Sequence, residues 1–112
     1  MDSQTQQYLE ILNRLRRGTA EGKILWEHTG TYGKQFAAPL DHGHRALVAS
    51  APSGEAVLFT MTNPQGMQTL YLDSSRVTED ILRLAMLQLF VIVRDTLVNQ
   101  VTSEALNAVR DL

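Results

Sequence analysis

The segment ILRLAMLQLFVIVRDTLV, residues 81–98, decides the fold class because it is apolar nearly all round when it is wound as a helix. Arg83, Arg94 and Asp95 interrupt it, and charges at this density are costly within a bilayer. The segment is therefore typical of a buried helix in a globular protein. Its apolar residues form three stripes, which are Met86, Phe90, Val93 and Leu97; Ile81, Ala85, Leu89 and Ile92; and Leu84, Leu87, Val91 and Val98.

A helix that lies on one sheet in a small protein needs only one apolar face, so the other stripes require a cover. Either the remaining helices of the chain supply it, or a second copy does so across a two-fold axis. We favour the second copy and predict a homodimer. The predicted interface consists of Met86, Phe90, Val93 and Leu97.

A first helix is predicted over residues 3–20, where apolar residues recur at three- and four-residue spacings. Asp2 or Ser3 can cap its N-terminus. The basic residues Arg14, Arg16 and Arg17 suit its C-terminal end, where the helix dipole is negative. Because the dipole and solvation explain these charges, they do not predict a nucleic-acid site.

The middle of the chain changes to short runs separated by glycine, proline and asparagine, which is typical of consecutive hairpins. We predict an antiparallel meander of four or five strands, the second segment being the weakest. The candidate strands are residues 24–29, 35–40, 45–51, 55–62 and 67–72.

The helical period returns at about residue 75 and continues to about residue 100, with Ser74 or Ser75 as N-cap. A short final helix is predicted from residue 103 to about residue 110, after a cap at Thr102-Ser103. The predicted fold is α+β in a single domain, residues 1–112. It has an N-terminal helix, an antiparallel meander, a long hydrophobic helix and a short final helix.

Three segments carry a family resemblance. They are LNRL followed by GKILWE at residues 12–15 and 22–27, Phe36, and LFVIVR at residues 89–94. With them the chain resembles a group of small bacterial proteins of uncharacterised function, which have a helix ending near R-T-x-x-G-x-L-x-W, a strand meander and a closing L-[YF]-x-x-[AV]-R helix. The resemblance implies this fold and no particular activity.

The only tryptophan, Trp26, lies in the first candidate strand. Strand alternation places it on one face with Ile24 and His28, so we expect it to pack against a helix with its indole N–H bonded to one partner. The alternative is a small-ligand-binding domain or minor enzyme with a pocket between sheet and helices. That candidate pocket consists of Trp26, His28, Tyr32 and Arg45.

Few residues suggest chemistry. The chain has no cysteine, and the turn Asp41-His42-Gly43-His44 offers two imidazoles without the further convergent ligands that a metal site needs. We predict no metal, no cofactor and no catalytic residue, and we expect no enzyme activity.

The net charge of −2 disfavours nucleic acid and anionic lipid as partners. The polar N-terminus does not resemble a signal peptide, which favours a cytoplasmic location. The predicted function is a non-enzymatic interaction or adaptor protein, with an unidentified protein as a further candidate partner.

Overall fold

The computed structural model describes residues 2–30, 34–51 and 54–112. These residues form an α+β fold with a five-stranded antiparallel sheet in the order β1-β2-β3-β4-β5. Helix α1 precedes the sheet and helix α2 follows it, as the sequence predicts. The elements are α1 (Ser3–Ala20), β1 (Glu27–His28), β2 (Gln35–Pro39), β3 (Arg45–Ser50), β4 (Val57–Thr62), β5 (Gln68–Asp73) and α2 (Asp80–Val109), with one 3-10 turn at Asp41–Gly43.

Helix α1 begins where its capping residue predicts. The Asp2 carboxylate accepts a hydrogen bond from the Thr5 backbone N–H at 2.7 Å, which satisfies one of the donors left free at a helix start. This bond holds the pKa of Asp2 below its ordinary value, because it stabilises the charged form. Leu12 and Leu15 on the buried face of α1 join the hydrophobic core.

The register divides the sheet into two faces, since successive side chains point to opposite sides. His28 pairs with Phe36, Phe36 with Val48, Val48 with Phe59, and Phe59 with Leu72. Phe36, Val48, Phe59 and Leu72 form a buried row, and the core to which they belong also contains residues of both helices. We call the face that carries this row the inner face. Both helices lie on it.

The neighbouring row points to the other side of the sheet, which we call the outer face. It joins Glu27, Ala37, Leu47, Thr60 and Tyr71 across the five strands. Tyr71 is 48% exposed, and Glu27 is exposed as well. The outer face therefore combines aliphatic, polar and aromatic side chains, whereas the inner face is apolar apart from His28 at its β1 edge.

The connection between β5 and α2 is longer than predicted. Ser75 donates from its backbone N–H and its hydroxyl to the Asp73 carboxylate, at 2.9 and 2.7 Å, and these bonds hold a turn. Ser74 accepts from the Val57 backbone N–H at 2.8 Å, so its hydroxyl supports β4 and does not cap a helix. Helix α2 consequently begins at Asp80, not near residue 75.

The prediction of a separate final helix is wrong, because α2 runs without a break for 30 residues from Asp80 to Val109. No glycine or proline occurs after Gly66. Thr102 and Ser103 are helix-compatible inside such a segment even though they are also favoured at caps. Without a residue that breaks the backbone ladder, the helix continues through them.

Strand β1 is shorter than predicted, with two residues in place of six. The chain before it follows the end of α1, where the Lys23 backbone N–H donates to the Gly18 carbonyl at 2.8 Å. Gly22 adopts a φ of 74° in this turn, a conformation that favours glycine. Residues 23–26 therefore stay beside the helix, and only Glu27 and His28 pair with β2.

Candidate interaction face

The stripe predicted as the dimer interface is buried inside the chain. Met86 and Val93 are fully inaccessible, and Phe90 and Leu97 are each 8% exposed. The Phe90 ring lies 5.8 Å from the ring of Phe36 on the inner face of the sheet. These four side chains cannot contact a second copy while the fold is intact, so the assignment of the interface to this stripe is wrong.

The third stripe of α2 is the one that faces water. Leu84 is 54% exposed, Leu87 40%, and Val91 and Val98 42% each. The sheet covers the first stripe. Helix α1 packs along α2 and covers much of the second, where Ala85 and Leu89 are buried and Ile92 is half-buried. We call Leu84, Leu87, Val91 and Val98 the exposed stripe.

A groove of about 630 Å³ runs beside the exposed stripe, between α2 and the edge of α1. Arg16 of α1 donates to the side-chain carbonyl of Gln88 at 3.4 Å across this groove. Three residues of the stripe provide apolar lining, and polar residues surround them. The lining residues are Arg16, Leu84, Leu87, Gln88, Val91, Ile92, Asp95, Thr96 and Asn99.

The last turns of α2 extend away from the rest of the protein. Every residue from Val98 to Leu112 is exposed. Among them Val101 is 45% exposed, Leu106 59% and Val109 52%. We call residues 98–109 the overhang. A free helix of this length is marginal in water, and these apolar side chains gain nothing from the exposure.

Arg94 and Asp95 supply the charges at the middle of this face. The Arg94 guanidinium lies 3.3 Å from an Asp95 carboxylate oxygen and 5.8 Å from the centroid of the Phe90 ring. Both side chains are substantially exposed, at 43% and 57%. They form one positive and one negative group beside an apolar stripe, a combination that suits self-association with opposite charges facing each other.

Trp26 is a buried residue of the hydrophobic core. It is 6% exposed, and its indole N–H donates to the Thr19 hydroxyl at 2.9 Å. The Thr19 hydroxyl in turn donates to the Leu15 carbonyl at 2.7 Å. The expectation that Trp26 packs against a helix with one hydrogen-bond partner is confirmed. This chain of bonds fastens the end of α1 to the segment that enters the sheet.

Thr19→Val is expected to destabilise the protein by about 1–3 kcal/mol, because the shape is nearly kept while the buried indole N–H loses its acceptor. Thermal unfolding followed by circular dichroism measures the effect. Thr19→Ser, which retains the hydroxyl, is the matched control and should recover most of the loss. Equal melting temperatures for the valine variant and the native protein would contradict the role assigned to this bond.

The candidate pocket of Trp26, His28, Tyr32 and Arg45 does not come together. Trp26 and His28 point to the inner face, where the His28 and Phe36 ring centroids lie 5.1 Å apart. Arg45 pairs with Pro39, which lies two residues after Ala37 on β2 and therefore points to the same side of the sheet. Arg45 thus lies on the outer face. Tyr32 lies outside the described residues. The sheet therefore separates Arg45 from the other two described residues of the predicted pocket.

A different cleft, of about 740 Å³, lies between the end of α1 and the inner-face edge of the sheet. Leu15, Ile24 and Met61 contribute apolar lining, and Arg14 and Lys23 lie at its rim. Both cations are paired within the chain at 2.8 Å, Arg14 with Glu10 and Lys23 with Glu21. The cleft thus offers apolar lining, but its paired cations give it little capacity to recognise an anionic ligand.

The histidine-rich turn forms the 3-10 segment Asp41–Gly43, in which His42 adopts a φ of 59°. His42 is exposed and His44 is half-buried. Within residues 2–30, 34–51 and 54–112, no group of three histidine, cysteine, aspartate or glutamate side chains is arranged to hold a metal ion.

Neither helix of the described chain is both long and apolar enough to cross a membrane. The sequence matches no protein-family model and no curated protein, and the fold matches no solved structure. The resemblance to the small bacterial proteins remains a prediction from the sequence. The geometry of α2 is thus the main guide to function.

Proposed function

We propose that this protein is a non-enzymatic interaction module that forms a homodimer through the exposed stripe of α2. The observation that carries the proposal is the exposure of Leu84, Leu87, Val91 and Val98 in one line, beside an apolar groove. An exposed apolar surface rimmed by polar residues is typical of an interaction site. Two-fold dimers are the commonest assemblies, and a single helix stripe can pair with its own copy.

The residues available for recognition support an interaction role more than catalysis. The side chains that surround the groove are amides, a hydroxyl and a few charges that are exposed to water. Such groups suit the rim of a protein interface. The outer face of the sheet remains available in the proposed dimer for an unidentified protein partner. The predicted cytoplasmic location belongs to the same proposal.

Ligand binding beside Trp26 has less support. The indole is packed and hydrogen-bonded, and Arg45 lies on the opposite face of the sheet. A ligand for the cleft near Ile24 and Met61 would have to bind mainly through apolar contacts.

Sedimentation equilibrium tests the proposal. We expect twice the chain mass of 12.5 kDa at tens of micromolar protein, an order of magnitude at which a stable interface is occupied. A mass of 12.5 kDa under these conditions would refute it.

A further inference from the structure

The exposed stripe continues into the overhang with a heptad spacing. Starting at Leu84, the residues reached by alternating steps of three and four are aliphatic as far as Ala108, with the exception of Arg94. This alternation defines the contact line of a two-stranded coiled coil. We call the eight positions the seam, and they are Leu84, Leu87, Val91, Arg94, Val98, Val101, Ala105 and Ala108.

The seam is accessible along its whole length. Its aliphatic members up to Val101 are 40–54% exposed, and Ala105 and Ala108 are exposed as well. Arg94 is half-buried and is the one charged residue of the line. The first part of the seam lies on the folded body and the second part lies on the overhang. A single chain cannot bring these two parts of one straight helix into contact.

We propose that two copies associate through this seam in antiparallel orientation, so that the overhang of each chain lies on the exposed stripe of the other. The inference rests on the proposed function, and it names the geometry of the dimer and the segment that occupies each groove. It gives the overhang a partner along its apolar side, and it covers the stripe of both bodies.

Aligning the full seams in opposite directions pairs large side chains with small ones. Leu84 then lies opposite the partner's Ala108, and Leu87 opposite the partner's Ala105. Val91 lies opposite the partner's Val101. Leucine against alanine and valine against valine keep a similar volume in each layer, which is the condition for close packing between two helices.

Arg94 favours the antiparallel orientation. In a parallel dimer in register, Arg94 would lie directly opposite the partner's Arg94, which places two like charges in one layer of the seam. In the antiparallel alignment Arg94 lies opposite the partner's Val98. The Asp95 carboxylate of each chain is then about one helical turn from the other chain's Arg94, so opposite charges meet near the two-fold axis.

A contact area large enough for a stable dimer also requires the overhang. A stripe from Leu84 to Val98 is about 21 Å long and, at a helix diameter of about 10 Å, covers roughly 210 Å² per chain. A stable interface uses about 800 Å² from each partner. Including the overhang lengthens the seam to about 36 Å, or roughly 360 Å² per chain by the same measure, and the groove walls and the side chains that flank the seam must supply the rest. Contact between the two stripes alone is too small.

The absence of cysteine from the sequence makes a direct test simple. Two full-length variants, Leu87→Cys and Ala105→Cys, are purified separately and treated with diamide, each alone and then as an equimolar mixture. Diamide takes two electrons and two protons as a pair of thiols becomes a disulfide, which requires Cα atoms roughly 4.4–6.8 Å apart. Non-reducing electrophoresis shows the cross-linked chain at twice 12.5 kDa.

The antiparallel arrangement predicts cross-linked dimer in the mixture and only monomer for either variant alone. A mixture of Leu87→Cys with Asn107→Cys is the matched control, because Asn107 is exposed on the overhang but lies off the seam. It should not cross-link. Sedimentation of the two reduced variants, before diamide is added, establishes that both are still dimers.

The outcomes separate the geometry from the proposed dimer itself. Cross-linking of Ala105→Cys alone would show a parallel seam and overturn the inference while leaving the dimer intact. A dimer that gives no cross-link in the Leu87→Cys and Ala105→Cys mixture would also overturn the inference, because the two copies would then meet at another face or register. A monomeric native protein would overturn both the inference and the proposed function.

Discussion

Leu87→Glu is expected to convert the proposed dimer into a folded monomer. Leu87 is 40% exposed and lines the groove, so a charge there is tolerated by the isolated chain but not by a dry helix contact. Because the dimer contains two copies of the chain, the substitution occurs twice in the interface. Loss of about 1.5–3 kcal/mol at each copy weakens association by roughly 10²–10⁴-fold. Sedimentation velocity measures the loss, and far-ultraviolet circular dichroism should show an unchanged fold.

Gln100→Glu is the matched control for this variant. Gln100 is exposed on α2 but lies on the opposite side of the helix from the seam, and the substitution adds the same charge with little change of size. This control should remain a dimer. If Leu87→Glu also remained a dimer with undiminished affinity, the exposed stripe would not be the interface.

Phe90→Glu is expected to abolish folding. Phe90 is only 8% exposed and packs near Phe36 in the core beneath the helix. Truncation of a buried phenylalanine alone costs about 3–5 kcal/mol, and burial of a carboxylate adds to this cost. The total stability of a domain is about 5–15 kcal/mol. Thermal scans should therefore show no cooperative transition for this variant.

Phe90→Leu tests the same position without a charge, and it should fold with reduced stability. The pair separates two roles for Phe90. A Phe90→Glu protein that melted cooperatively and ran as a monomer would return the interface to the stripe that the sequence predicted. Loss of folding in the glutamate variant alone would confirm that Phe90 belongs to the intrachain core.

The position of Trp26 shows how far local pattern can predict a buried site. Alternation along the predicted strand grouped Trp26 with Ile24 on the covered side. Both side chains do pack on the core, although the strand itself begins only at Glu27. Thr19 as the indole partner could not be identified in the same way. It lies seven residues upstream, on another element, and the path of the intervening turn brings the two side chains together.

The candidate pocket was predicted wrongly for a related reason, since its residues also come from separate segments of the chain. Trp26 lies just before β1 and Arg45 begins β3, so their relative faces depend on the register between β1, β2 and β3. That register pairs His28 with Phe36 and Pro39 with Arg45, which sends Arg45 to the outer face. A one-residue shift in pairing reverses the face of every side chain in a strand, and no residue near Arg45 specifies the pairing locally.

The overhang could have been recognised from the sequence. Aliphatic residues at three-and-four spacing run from Leu84 to Ala108 with Arg94 as the one exception, and no glycine or proline interrupts the segment. The cap-forming residues Thr102 and Ser103 suggested a boundary, which divided one seam between two predicted helices. Uninterrupted periodicity was the better guide here than a cap motif, because a helix ends only where the backbone ladder can be replaced by other partners.

By itself the sequence determined the α+β class, the antiparallel meander and the three apolar stripes of α2, because these follow from residue periodicity and turn chemistry. Only the tertiary structure decided which stripe meets the sheet, which lies under α1 and which remains in water. A helical wheel shows that α2 has three apolar stripes, but it does not show which neighbour each stripe contacts. The choice depends on how the bulky Phe90 and Met86 pack against Phe36 and its neighbours across the core, and that packing leaves Leu84, Leu87, Val91 and Val98 exposed.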